Sequence, residues 1–127
     1  MATRIFLGLS ALIWLPYGIY CFFEPGALAD AAGVAFTSPI GATDLRATYG
    51  GLTAALGGLA LLGALSSAFS RHALVTLGTA CAGFGIARLL GTALDGGVGP
   101  YTTQALLLEF VTLAFALWLL RRPAAAA

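Results

Sequence analysis

Arg46, Arg88 and Glu109 stand out chemically because each lies inside a long apolar stretch of the chain. A charge within a membrane span costs at least about 2.5–3.5 kcal/mol on insertion scales, so it turns toward other helices and finds a partner there. Arg88 lies seven residues before Asp95, and Glu109 lies seven after Thr102. At helical rise, both sit roughly 10 Å inside the same membrane boundary. Arg46 is shallower but belongs to the same half. The spacing predicts an Arg88–Glu109 ion pair, with Arg46, Tyr49, Asp44 and Asp95 extending a network toward the surface. A bidentate arginine–carboxylate pair suits such a low-dielectric setting.

Helical faces agree with that meeting. Arg46 shares its face with Tyr49, Gly50, Thr53 and Gly57. Arg88 shares one with Cys81, Gly85, Thr92 and Asp95, and Glu109 with Ala105, Thr112 and Ala116. These are the small or polar stripes, the sides that face other helices. Two roles are open for the cluster. It is either a device that fixes helix register or a polar pocket formed by Arg46, Tyr49, Arg88, Asp95 and Glu109. Two arginines against one glutamate leave one positive charge in excess, which would attract an acidic lipid headgroup or a small carboxylate. A catalytic alternative makes Glu109 a general acid/base and Arg88 an electrostatic stabiliser. A carboxylate beside an arginine is stabilised as the anion, which suits a structural pair better than a base.

The elements that must position these groups follow from apolar run length. A membrane helix needs about 20 mostly apolar residues. Four stretches qualify, at about 5–23, 45–65, 73–94 and 102–120. Glu24-Pro25-Gly26, the segment from Ser66 to His72, and the segment from Asp95 to Pro100 separate them. The expectation is an all-α, integral membrane four-helix bundle forming a single domain over 1–127. The runs are too long and too continuous for barrel strands. The first span carries Trp14, Pro16, Tyr17 and Tyr20 where a cleaved signal would have small residues. Pro16 should kink it, and the aromatic residues read as interfacial anchors or, for Tyr17 and Tyr20, as pocket lining. The loop 24–44 holds an Ala-rich piece that reads equally well as a short interfacial helix or as irregular chain.

Arg4, Arg71, Arg121 and Arg122 flank one side of the membrane, while Glu24, Asp30, Asp44 and Asp95 flank the other. The positive-inside rule then puts both termini in the cytoplasm. Small residues recur every four positions at Gly50, Ala54 and Gly58, and at Thr79, Gly83, Ala87 and Gly91. That spacing predicts close helix packing or a seam for a homo-oligomer or partner membrane protein.

Composition agrees with a membrane location and closes other classes. Of 127 residues, 60% are hydrophobic and only 9% charged, too little polar material to cover a soluble monomer of this size. Net charge is +1 and the arginines are dispersed, so no nucleic-acid footprint is present. Cys21 and Cys81 fall roughly 15–20 Å apart in depth and cannot form a disulfide. His72 is the only histidine, so one chain cannot build a His-rich metal or bis-His haem site. No phosphate-binding or dinucleotide signature is present, and no cofactor is expected. Four spans without broken helices give a transporter little support.

Three strings carry a family resemblance: Asp44-Leu45-Arg46-Ala47-Thr48-Tyr49-Gly50-Gly51, Arg88-Leu89-Leu90-Gly91 followed by Asp95-Gly96, and Leu108-Glu109. With Pro25 after the first span, the chain resembles the bacterial membrane family catalogued as domain of unknown function 4345. The resemblance covers nearly the whole chain. It implies a four-helix membrane protein and no particular activity; the location expected for the chain is the bacterial cytoplasmic (inner) membrane. The leading expectation is a protein without catalytic activity of its own, whose polar cluster in the outer leaflet half binds a lipid or small anionic ligand or docks a partner membrane protein. The intramembrane enzyme built on Glu109 and Arg88 stays as the alternative.

Overall fold

The computed structural model describes residues 1–122 and contains five helices and no strand among them. These are α1 (Ala2–Phe23), α2 (Pro25–Ala32), α3 (Pro39–Leu65), α4 (Ser67–Asp95) and α5 (Pro100–Leu120). All but α2 are long and apolar enough to cross a membrane. Local chemistry sets the boundaries. Pro25, Pro39 and Pro100 each open a helix, where a missing N–H costs nothing. Ser38 caps α3 by accepting from the Gly41 N–H at 3.3 Å. Gly33 and Gly96 end α2 and α4 in the left-handed region, at φ 69° and 70°. Between α3 and α4 the Ser70 hydroxyl donates to the Gly63 carbonyl at 2.7 Å, satisfying a helix-end acceptor.

Two helix starts precede the apolar runs by six residues. α3 starts at Pro39, six residues before Leu45, because the Ser38-Pro39 cap begins a helix whose first turns are polar. α4 starts at Ser67, so Arg71 and His72 lie exposed on its first turns and not in a connecting turn. The Ala-rich piece of the loop is helical. α2 buries Pro25, Leu28 and Ala29 against the ends of α1, α3 and α5.

Within α3, residues Arg46–Leu52 form a π-helical stretch. Such stretches are rare, and they put extra residues into a turn at the cost of poorer hydrogen bonding. α1 remains helical through Pro16.

The four long helices pack in sequence order, α1 on α3, α3 on α4 and α4 on α5, while α5 scarcely meets α1. α1 and α3 approach nearly backbone to backbone. A Cβ at Gly50 would lie 2.8 Å from Phe22, and one at Gly18 or Gly57 would collide with the backbone of Ala54 or Leu15. The four-residue stripe therefore holds only in part. Gly50 and Ala54 face α1, but a helix repeats every 3.6 residues, so the face continues at Gly57 and not at Gly58. Gly58, Gly83 and Gly91 have open space where a Cβ would go.

The end of the bundle carrying exposed Glu24, Asp30, Asp44 and Asp95 is here called the acidic end, and that carrying Arg4, Arg71, Arg121 and Arg122 the arginine end. The buried core, including Leu7, Ala11, Leu56, Leu74, Leu77 and Leu119, fills the arginine-end half. The acidic-end half is not filled.

Candidate functional site

In the acidic-end half the helices enclose a cavity of about 310 Å³, at the lower bound of small-molecule sites. It lies between α1 and α5, the two long helices that scarcely meet. Near the arginine end their side chains still meet, with Phe6 stacked on Phe115 at 5.9 Å between ring centres. Toward the acidic end, α1 contributes Ile13, Trp14 and Tyr17 to the lining. Tyr101, Gln104, Ala105, Leu108 and Glu109 of α5 stand opposite. Thr48, Tyr49 and Thr53 of α3 and Phe84 and Arg88 of α4 complete it.

One ion pair occupies the polar part. Arg88 Nη2 donates to Glu109 Oε1 at 2.9 Å, and Nε contacts both carboxylate oxygens at 3.3 Å. This is the only salt bridge among the described residues. Its partners differ in exposure: the Glu109 side chain is 5% accessible and Arg88 24%. Two of the five guanidinium N–H groups are engaged by Glu109. The Nη1 edge donates to no protein acceptor among the described residues, although Arg88 lines the cavity. The arginine also lies 5.7 Å from the centre of the Tyr101 ring.

Of the other residues expected in the network, Tyr49 shares the cavity with the pair, and Arg46, Asp44 and Asp95 do not. Arg46 Nε donates to the Phe22 carbonyl at 3.1 Å and does not line the cavity. The last carbonyls of a helix lack intrahelical partners, and α1 ends beside Arg46, so the guanidinium caps α1 instead of extending the network. Asp44 and Asp95 are exposed and make no ion pair among the described residues. The cavity therefore holds one cation and one anion, without the positive excess expected from Arg46.

Among the aromatic residues, Tyr17 and Tyr49 line the cavity, while Tyr20 is exposed and does not. Trp14 is 7% accessible and belongs to core and cavity wall, not to an interfacial belt. Tyr101 and Gln104 were not singled out from sequence. The signal was present for Tyr101, since Glu109, Ala105 and Tyr101 repeat at intervals of four along one face. Cys21 and Cys81 are buried, unpaired thiols. His72 is exposed, with Nδ1 3.2 Å from the Ala68 carbonyl, and no group of three metal-ligating side chains exists among the described residues.

A family model described as "Domain of unknown function (DUF4345)" matches residues 2–120. The chain belongs to the DUF4345 family. The match includes all five helices, so the Arg88–Glu109 pair, Tyr49 and the π-helical stretch all lie within the DUF4345 region. No curated protein and no solved structure matches the chain.

Proposed function

We propose that this DUF4345 protein is a binding protein of the bacterial cytoplasmic membrane. Its ligand is an uncharged amphipathic molecule whose carbonyl or hydroxyl head reaches the free edge of Arg88. The observation that carries this reading is a cavity with apolar walls and a single charge-balanced pair, from which one guanidinium edge remains available. Glu109 neutralises and orients Arg88. An anion brought to Arg88 would also meet that carboxylate, whereas a neutral acceptor takes the hydrogen bonds without the repulsion. Ile13, Phe84 and Leu108 suit the apolar body, and the sparse packing between α1 and α5 supplies lateral access from the bilayer. The tyrosine hydroxyls of Tyr17, Tyr49 and Tyr101 offer further partners for the head.

Native mass spectrometry of protein extracted with mild detergent tests this. Wild type and Arg46→Leu should retain a co-purifying lipid-like molecule, and the Arg88→Leu/Glu109→Leu double variant should lose it. Absence of any adduct in the wild type, or full retention in the double variant, would overturn the proposal.

A further inference from the structure

A second cavity, of about 320 Å³, lies at the acidic end. It is built from the non-helical segment after α2, including Val34, Phe36 and Thr37, and from the first turns of α3, including Asp44. This chamber is a water-side feature. Its segment 34–37 lies outside every long helix, and the Asp44 side chain is exposed and unpaired among the described residues. The two chambers have Thr48 and Tyr49, and no other residue, in common. Those two residues therefore stand where the membrane-facing chamber borders the water-facing one.

The backbone beneath that border has an unusual construction. Thr48 and Tyr49 sit in the middle of the π-helical stretch Arg46–Leu52. One face of this stretch is fixed to the end of α1: Arg46 donates to the Phe22 carbonyl, and Gly50 is pressed against Phe22. The opposite part is loosely held. Gly51 is exposed, and the nearest atom to a Cβ built there is the Arg46 carbonyl oxygen at 3.8 Å. Glycine inside a helix costs about 1 kcal/mol relative to alanine, and π-type hydrogen bonding is weaker than α. The segment bearing the border is thus anchored along one side and compliant along the other.

We propose that the two chambers are successive parts of one passage between the bilayer and the acidic-end aqueous face, closed by the Tyr49 side chain. The identity of the molecule using it rests on the binding reading above; the passage itself rests on the shared border at Thr48 and Tyr49 and on the backbone that carries it. When Tyr49 swings aside, the polar head of an amphipath held at Arg88 gains a route to water while its body remains among the apolar walls.

Thiol accessibility tests the passage without any knowledge of the ligand. Thr53 lines the inner chamber one helical turn beyond Tyr49 and is buried, so Thr53→Cys reports access to it. In a Cys21→Ala/Cys81→Ala background reconstituted in liposomes, a cationic, membrane-impermeant methanethiosulfonate should modify the introduced thiol slowly. Adding Tyr49→Ala should raise that rate about tenfold, equivalent to about 1.4 kcal/mol in the opening equilibrium. Tyr20→Ala, at an exposed residue that lines neither chamber, should leave it unchanged. A neutral, membrane-permeant maleimide should modify the thiol at the same rate in every variant, which reports an intact inner chamber. Equal rates for the cationic reagent with Tyr49 present or removed would overturn the passage. If the passage holds and no molecule co-purifies with the protein, the binding reading alone falls.

Discussion

The Arg88–Glu109 pair was legible because depth is a simple count: two residues equally far from punctuated helix ends on neighbouring spans must meet or remain unpaired. Arg46 was not legible by the same count, since its partner is a main-chain carbonyl at the end of α1 and sequence does not display helix-end acceptors. The pair also makes an energetic prediction that counting could not. Glu109 is nearly inaccessible while Arg88 retains a quarter of its exposure, so the two single deletions are unequal. Arg88→Leu strands a carboxylate in an apolar setting and should cost about 3–5 kcal/mol. Glu109→Leu strands an arginine with a long stem and some access, and should cost less. The double replacement should lie close to wild type, because neither charge is then left unpaired. Thermal unfolding in detergent measures all three, and additive losses would contradict the pairing. Arg46→Leu removes only the cap on Phe22, so about 1–2 kcal/mol is expected.

At the level of elements, the four spans could be read from apolar length, and the cavity could not. Apolar runs report which segments enter the membrane but not where two helices leave space between them. The space lies between α1 and α5, because α1 packs on α3 instead, with close backbone approaches at Gly18, Gly50 and Gly57. The glycine spacing showed that close packing existed, yet assigned some of it to residues that face open space. Two substitutions separate these classes. Gly57→Ala puts a methyl group into the backbone of Leu15, and overpacking of this kind costs about 1–3 kcal/mol. Gly83→Ala meets nothing within 4 Å and removes a helix-interior glycine, so it should stabilise by up to about 1 kcal/mol. Unfolding midpoints in the same detergent provide the comparison. A loss at Gly83 as large as that at Gly57 would mean that α4 also packs tightly along that face, as in a dimer. The π-helical stretch left no sequence signal beyond its glycines, because its register depends on how Arg46 and Gly50 are held against Phe22.

For the whole molecule, orientation decides what the passage connects. The acidic residues at one end have little influence on insertion; it is the arginines near the span ends that count. Arg4, Arg71, Arg121 and Arg122 are all exposed at one end of the bundle. Arg122 lies 3.6 Å from the centre of the Trp118 ring, a cation–aromatic pair of the type that suits a membrane interface. Arg46 and Arg88 lie nearer the acidic end, but the first is bound to the Phe22 carbonyl and the second to Glu109, so neither acts as a free loop charge. The arginine end, with both termini, should therefore be cytoplasmic, and the chamber holding Asp44 should face the opposite side. In a bacterial host, green fluorescent protein fused to the C-terminus should fluoresce, and alkaline phosphatase fused there should be inactive. Alkaline phosphatase inserted between α2 and α3 should be active. Replacing all four end arginines with glutamine should give a mixed population, because the charge bias is then gone while the spans are untouched. Phosphatase activity from the wild-type C-terminal fusion would invert the orientation and turn the mouth of the passage toward the cytoplasm.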